Sequence, residues 1–328
     1  DGGEGTMAEL TAALGWAEFY HTVTGPFGQP AKIPYARNGQ QALFEMADLV
    51  GLASISPEKR NPLTLDTRGL GELILYLAKE GVRQIYIGVG GSATNDGGIG
   101  MAAGLGYEFF DKDNHLLQAK GVSLGRVARI SADNVPAILE NLDIQILTDV
   151  TNPLCGENGA TYVFGGQKGL PALLFSQVDQ AMVTFYKQAN PTIFSLAGAG
   201  AGGGMAAGLV TFAHGKIVSG IDTCLNLLDF DNRVKRADLV IVGEGRMDQQ
   251  SLAGKAPIGV ARRTPRNVPV IAICGSLSDD LPAFPVENIQ AAFPIISQVE
   301  PLAITLAKAE ENLIRTAQNI GNLLKMKI

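Results

Sequence analysis

Short apolar runs that stop abruptly at glycine constrain this chain more than any other feature. Gln84–Val89 (Q-I-Y-I-G-V) runs into G-G-S-A-T-N-D-G-G, Asp238–Val242 into G-E-G-R-M-D, and Val268–Cys274 into G-S-L. Asp143–Thr148 (D-I-Q-I-L-T) and Gln290–Ile296 (Q-A-A-F-P-I-I) share their length and texture. Runs this short, without alternation, are buried on both faces, as the strands of a parallel sheet are. Helical patterns lie between them. In Gly69–Lys79 the residues Leu70, Leu73, Ile74 and Leu77 share a face, and Pro301–Leu324 carries a longer stripe through Leu302, Leu306, Leu313, Ile320 and Leu324. Strands alternating with helices predict an α/β protein, with helices on both faces of largely parallel sheets. Phe19–Thr24 and Ala31–Tyr35, joined by G-P-F-G-Q-P, predict an antiparallel portion.

The 328 residues exceed what one hydrophobic core comfortably serves, so two domains are expected, with a boundary near the charged stretch Asp229–Arg236. A hydrophobic share of 46% excludes a disordered tail. No run approaches the ~18 apolar residues of a membrane span, and Asp1-Gly2-Gly3-Glu4 reads as neither a signal nor a transit peptide. The net charge of −6 argues against nucleic acid as a partner. An anionic ligand must then be held locally, by a few cations, backbone N–H groups or a metal. Cys155, Cys224 and Cys274 are too scattered for a disulfide framework or a zinc site and read as buried thiols in a reducing cytoplasm.

In open α/β sheets ligands sit beyond the carboxyl ends of the strands. Gly90, Gly91, Ser92, Thr94, Asn95 and Asp96 follow the first run in a turn suited to phosphate or carboxylate, although Asn95 and Asp96 as simple helix caps is the plainer alternative. Asp149 and Asn152 follow the second, in D-V-T-N-P-L-C-G-E-N-G-A. The connection Gly243–Lys255 gathers Glu244, Arg246, Asp248, Ser251 and Lys255, either a site or a solvated loop, and its carboxylates suit Mg²⁺ brought by a nucleotide. Gly275 and Ser276 form a further short turn. No Walker loop or protein-kinase signature is present, and G-A-G-A-G-G-G at 198–204 follows no buried strand, which weakens a dehydrogenase reading.

These segments resemble the bacterial glycerate kinase family of the glyoxylate and glucarate pathways. The resemblance rests on D-G-G-E-G-T (1–6), T-V-T-G-P, R-N-P-L, G-G-S-A-T-N-D-G-G, D-V-T-N-P-L-C-G-E-N-G-A, F-G-x-Q-K-G (164–169), G-A-G-A-G-G-G-M-A-A-G-L, G-E-G-R-M-D-Q-Q-S-L-A-G-K and V-P-V-I-A-I-C-G-S-L, in family order. It implies a flavodoxin-like parallel-sheet domain (1–16 plus 231–328) interrupted by a larger inserted α/β domain with a mixed sheet (17–230), and an active site in the cleft between them. It also implies a strand–helix–strand unit preceding Asp1. The implied activity is ATP-dependent phosphorylation of D-glycerate, on its 2-hydroxyl, with Mg²⁺. Lys255 and the Ser92–Asp96 turn would then hold phosphate with Gly90, Gly91, Ser251, Gly275 and Ser276; Glu244 and Asp248 are candidates for metal. Asp149 or Asp96 would be the base, and Asp1, Arg68, Asn152 and Arg246 candidates for the acid substrate. A kinase for another hydroxy acid and a non-catalytic sugar-acid or nucleotide sensor are the alternatives. The expected partners are small molecules, with homo-oligomer formation open.

Overall fold

The computed structural model describes residues 2–3, 5–252 and 254–326. Contacts divide it into two units, Asp1–Thr223 and Cys224–Ile328.

The first unit is built on one six-stranded mixed sheet. Its strands are β1 (Ala17–Thr24), β2 (Pro30–Asn38), β3 (Gln41–Glu45), β4 (Gln84–Gly88), β7 (Asp143–Thr148) and β8 (Lys216–Ser219), in the order β1-β2-β3-β4-β7-β8. The short strands β5 (Glu108–Phe110) and β6 (Arg129–Ser131) pair separately. β2 runs antiparallel to both of its neighbours, β1 and β3, whereas β3, β4, β7 and β8 are parallel. The G-P-F-G-Q-P loop closes the first hairpin, with the Gly25 amide donating to the Gln29 carbonyl at 2.6 Å. A second, unexpected hairpin turns at Gly39 in the left-handed region, which is what an Asn-Gly pair between apolar runs encodes.

Burial explains the parallel half. Ile85, Ile87, Ile144 and Ile146 are sealed, and the helix Arg68–Lys79 lays the expected face of Leu70, Leu73, Ile74 and Leu77 against them. Residues 2–16, expected with the C-terminal domain, group with this unit. The buried Glu45 carboxylate, at the end of β3, accepts the amides of Gly5 (3.0 Å) and Met7 (2.6 Å) and so anchors the start of the helix Thr6–Leu14.

The second unit holds a three-stranded parallel sheet, β9 (Val240–Met247), β10 (Val270–Leu277) and β11 (Ile289–Pro294), ordered β11-β10-β9. One face packs on Ile258 and Ala261 of the helix Ala256–Arg263, the other on Ile320 of the helix Ala309–Leu324. No helix forms between β10 and β11, where Pro282 and Pro285 remove helical donors. Two helices, Gln249–Leu252 and Ala256–Arg263, follow β9. One expectation fails here. The long C-terminal stripe breaks at Lys308 and turns outward: Leu302, Leu306, Leu313 and Leu324 are exposed, while Asn312 and Ile320 are buried.

No helix among the described residues is long and apolar enough to cross a membrane.

Candidate active site

The carboxyl ends of β4 and β7 open onto a cavity of about 150 Å³ in the first unit. Gly90, Gly91, Ser92 and Thr148 supply its polar wall, joined by Gln167 and Lys168; Leu52, Val89, Val150 and Phe164 supply the apolar one. Gly91 and Val150 are exposed, so the cavity opens to solvent.

Lys168 is the residue that linear reading did not single out. It ends a short 3-10 turn, Gly166–Lys168, and is only 3% exposed. Its ammonium donates to the Ser92 hydroxyl at 2.9 Å and the Thr94 carbonyl at 2.7 Å. Burial lowers its pKa to about 7, against the opposing pull of Asp96. The only signal in the sequence was a lysine inside F-G-G-Q-K-G, 76 residues from Ser92.

The turn after β4 is less open than its glycines imply. The amides of Gly90, Ala93, Asn95 and Gly97 donate to the carbonyls of Gly2, Val50, Pro62 and Gly203. Gly203 is indispensable to this arrangement: its φ is +71°, and a Cβ there would lie 2.0 Å from the Thr94 oxygen. Thr94, Asn95 and Asp96 are fully buried behind the cavity. Asp96 acts as the cap that the plainer alternative describes, accepting the Thr67 hydroxyl (2.6 Å) and the amides of Gly98 (3.0 Å) and Gly100 (3.4 Å). Its pKa is raised by burial, which those bonds partly offset. The Thr94 hydroxyl and the Asn95 Oδ1 are buried without a partner.

Asp149, one residue beyond Thr148, is half-buried and turns toward β8, accepting the Gly220 amide at 2.8 Å and the Ile221 amide at 3.2 Å. Burial raises its pKa too. The Asn152 side-chain amide donates to the Asn158 carbonyl (2.9 Å) and holds its own loop. Arg68 lines a different cavity, of about 220 Å³, that shares no residue with the first. Asp1 lies outside the described residues.

In the second unit, Lys255 is ion-paired with Glu244 Oε1 at 3.2 Å, while Glu244 Oε2 is buried without a hydrogen-bond partner. Asp248 and Ser251 cap each other, amide to side chain, at 3.1 Å in both directions. Arg246 is exposed and reaches the Ser278 hydroxyl at 3.4 Å. Gly275 and Ser276, expected in a turn, lie inside β10. Pairing with β9 continues through Ser276 and Arg246 to Leu277 and Met247, which makes the G-E-G-R-M segment strand rather than loop. Glycine permits this: a Cβ on Gly275 would sit 2.2 Å from the Gly245 oxygen. Elsewhere Asp111, Asp113 and His115 bring three potential ligand atoms within 4.8 Å, in a surface turn where Asp111 also faces Arg126 at 3.5 Å.

The glycerate kinase family model matches residues 1–325. The chain belongs to the glycerate kinase family. A glycerate kinase of Neisseria meningitidis serogroup B is 58% identical over 326 residues, covering 99% of this chain and 88% of the relative. A glycerate 2-kinase of Escherichia coli K12 is 38% identical over 331 residues, covering 99% and 87%. A crystal structure from Salmonella typhimurium LT2, assigned to glycerate kinase 2, superposes with a TM-score of 0.82 at 37% identity, covering 99% of this chain and 87% of that one. This glycerate kinase family member is therefore an enzyme of the kinase class acting on small molecules, with the mixed and parallel sheets of its solved relative.

Proposed function

We propose that this kinase transfers the γ-phosphoryl group of ATP to the 2-hydroxyl of D-glycerate, giving 2-phosphoglycerate, with Mg²⁺. The observation that carries the substrate assignment is the size and place of the first-unit cavity. At about 150 Å³ it matches cavities that hold one benzene ring, the bulk of a three-carbon acid. Its position beyond parallel strand ends is where such folds keep ligands. The 2-hydroxyl reading is supported by the Escherichia coli relative, a glycerate 2-kinase.

Asp149 is the proposed base. It is half-buried and next to cavity-lining residues, whereas Asp96 has no exposure and spends its oxygens on Thr67 and helix amides. Lys255 is proposed for the nucleotide phosphates; Ser251, fully buried and engaged with Asp248, would support that turn from behind. The orphaned Glu244 Oε2 is the kind of buried acceptor a cation satisfies, so Glu244, with Asp248, would hold Mg²⁺; the ion's contribution, when bound, is to neutralise phosphate charge. We place the enzyme in a reducing cytoplasm, the setting in which Cys155, Cys224 and Cys274 stay thiols.

A coupled ADP-release assay with ATP, Mg²⁺ and D-glycerate, run beside L-glycerate and glycolate, tests the assignment. Phosphorus NMR of the product should show a secondary ester. A primary ester overturns the regiochemistry, and turnover with glycolate but not D-glycerate overturns the substrate.

A further inference from the structure

Lys168 has no part in the roles above, yet it is a costly residue to keep. Among the described residues it is the one buried lysine or arginine. Its partners are a hydroxyl and a backbone carbonyl, both neutral. Asp96 is the charged group that bears on it, but the Asp96 carboxylate bonds instead to Thr67 and to the amides of Gly98 and Gly100, with Asp66 as its own charged neighbour. Burying an ammonium without a paired anion is unfavourable, and an apolar side chain of the same volume would hold the fold better. The expense makes sense only if an anion arrives.

The place of arrival is also defined. Lys168 stands in the cavity wall beside Ser92, with Thr148 and the backbone of Gly90 and Gly91 also lining it. Ser92 is bonded to Lys168, so its hydroxyl position is set before any ligand enters. The volume admits an acid of about seven non-hydrogen atoms.

We infer that Lys168 binds the carboxylate of the acid substrate inside this cavity, with Ser92 fixing the ammonium, so that the residue is a specificity determinant for hydroxy acids over uncharged polyols. The inference rests on the glycerate kinase reading above. A supporting consequence follows from charge. Burial lowers the lysine's pKa to about 7, so the empty site is partly neutral near neutral pH; a bound carboxylate restores the ammonium, and binding takes up a fraction of a proton.

The test is calorimetric titration of the full chain with D-glycerate, without nucleotide, at pH 7 in two buffers of different ionisation heat. Wild type should bind with net proton uptake. Lys168→Met should weaken glycerate at least ~30-fold and abolish the uptake. Lys168→Arg should retain part of the affinity without uptake, since guanidinium stays charged. Glyceramide, which lacks the carboxylate charge, should bind wild type and Lys168→Met alike. Glycerate affinity of Lys168→Met within ~3-fold of wild type overturns the inference, even if turnover is lost. Should that variant not fold, Lys168→Gln replaces it and is read against the same ~3-fold limit. A wild type that neither binds nor phosphorylates D-glycerate defeats the kinase reading together with the inference. One that does both, while Lys168→Met keeps its affinity, defeats the inference alone.

Discussion

The Lys168 ammonium lies 2.9 Å from the Ser92 hydroxyl, in the wall of a cavity where the parallel strands β4 and β7 end. Burial depresses the lysine's pKa from 10.5 to about 7. A group depressed on folding binds more protons in the unfolded chain, so its contribution to stability grows as pH rises from about 7 toward 10.5 and is lost as pH falls through 7. Lys168→Met should therefore be more stable than wild type at pH 6.5, by a few kcal/mol at most, with the gap closing toward pH 10. Urea unfolding of both proteins across that range checks the sign.

The two candidate bases separate on substitution. Asp149→Asn should lower kcat by ~10²-fold or more, with a loss of stability of at most about 1–3 kcal/mol from the Gly220 and Ile221 amides it accepts. Asp96→Asn should destabilise by about 1–3 kcal/mol through its caps, yet retain most turnover once folded. Equal turnover of the two variants, measured beside thermal melting, would remove Asp149 from the mechanism.

Two glycines that touch across β9 and β10 should respond differently. Gly275→Ala forces a Cβ to 2.2 Å from the Gly245 oxygen, whereas a Cβ on Gly245 meets nothing within 4 Å. The first should cost more than ~2 kcal/mol and the second less than ~1. Chemical denaturation of the pair reads the difference directly.

Glu244→Gln removes the charge behind the orphaned oxygen and the partner of Lys255. The Mg²⁺ concentration for half-maximal rate should rise roughly tenfold, with the KM for D-glycerate unmoved. A variant whose magnesium dependence matches wild type would take Glu244 out of the metal assignment.

Cys155 is held at about 12 by burial, with Asp179 adding to the effect, and Cys224 and Cys274 are buried. Native protein at pH 7.5 should label slowly with iodoacetamide and gain three modifications once denatured. Mass spectrometry after timed quenching distinguishes the cases.

The elements that carry a local signature were legible. β4 and β7 emerge close to the limits their apolar runs set, and the Leu70–Leu77 face is buried as its period requires. Failures came where pairing or distance overrides the local pattern. G-E-G-R-M reads as a loop by its charges, but β10 extends to pair with it. The stripe on the last helix has the right period and the wrong direction, because periodicity identifies a face without saying what it meets. The site divides likewise. Gly90, Gly91 and Ser92 follow a strand end and could be anticipated, whereas Lys168 reaches them only through the fold.

β4 and β7 are also the two innermost parallel strands, flanked by β3 on one side and β8 on the other. Amides there exchange with solvent only through large-scale opening, while β1 and β8 fray at the margins. The cavity floor thus belongs to the last part of the sheet to come apart. Peripheral damage, such as proteolytic nicking or loosening of the β1–β2 hairpin, should leave this cavity standing until the unit as a whole melts.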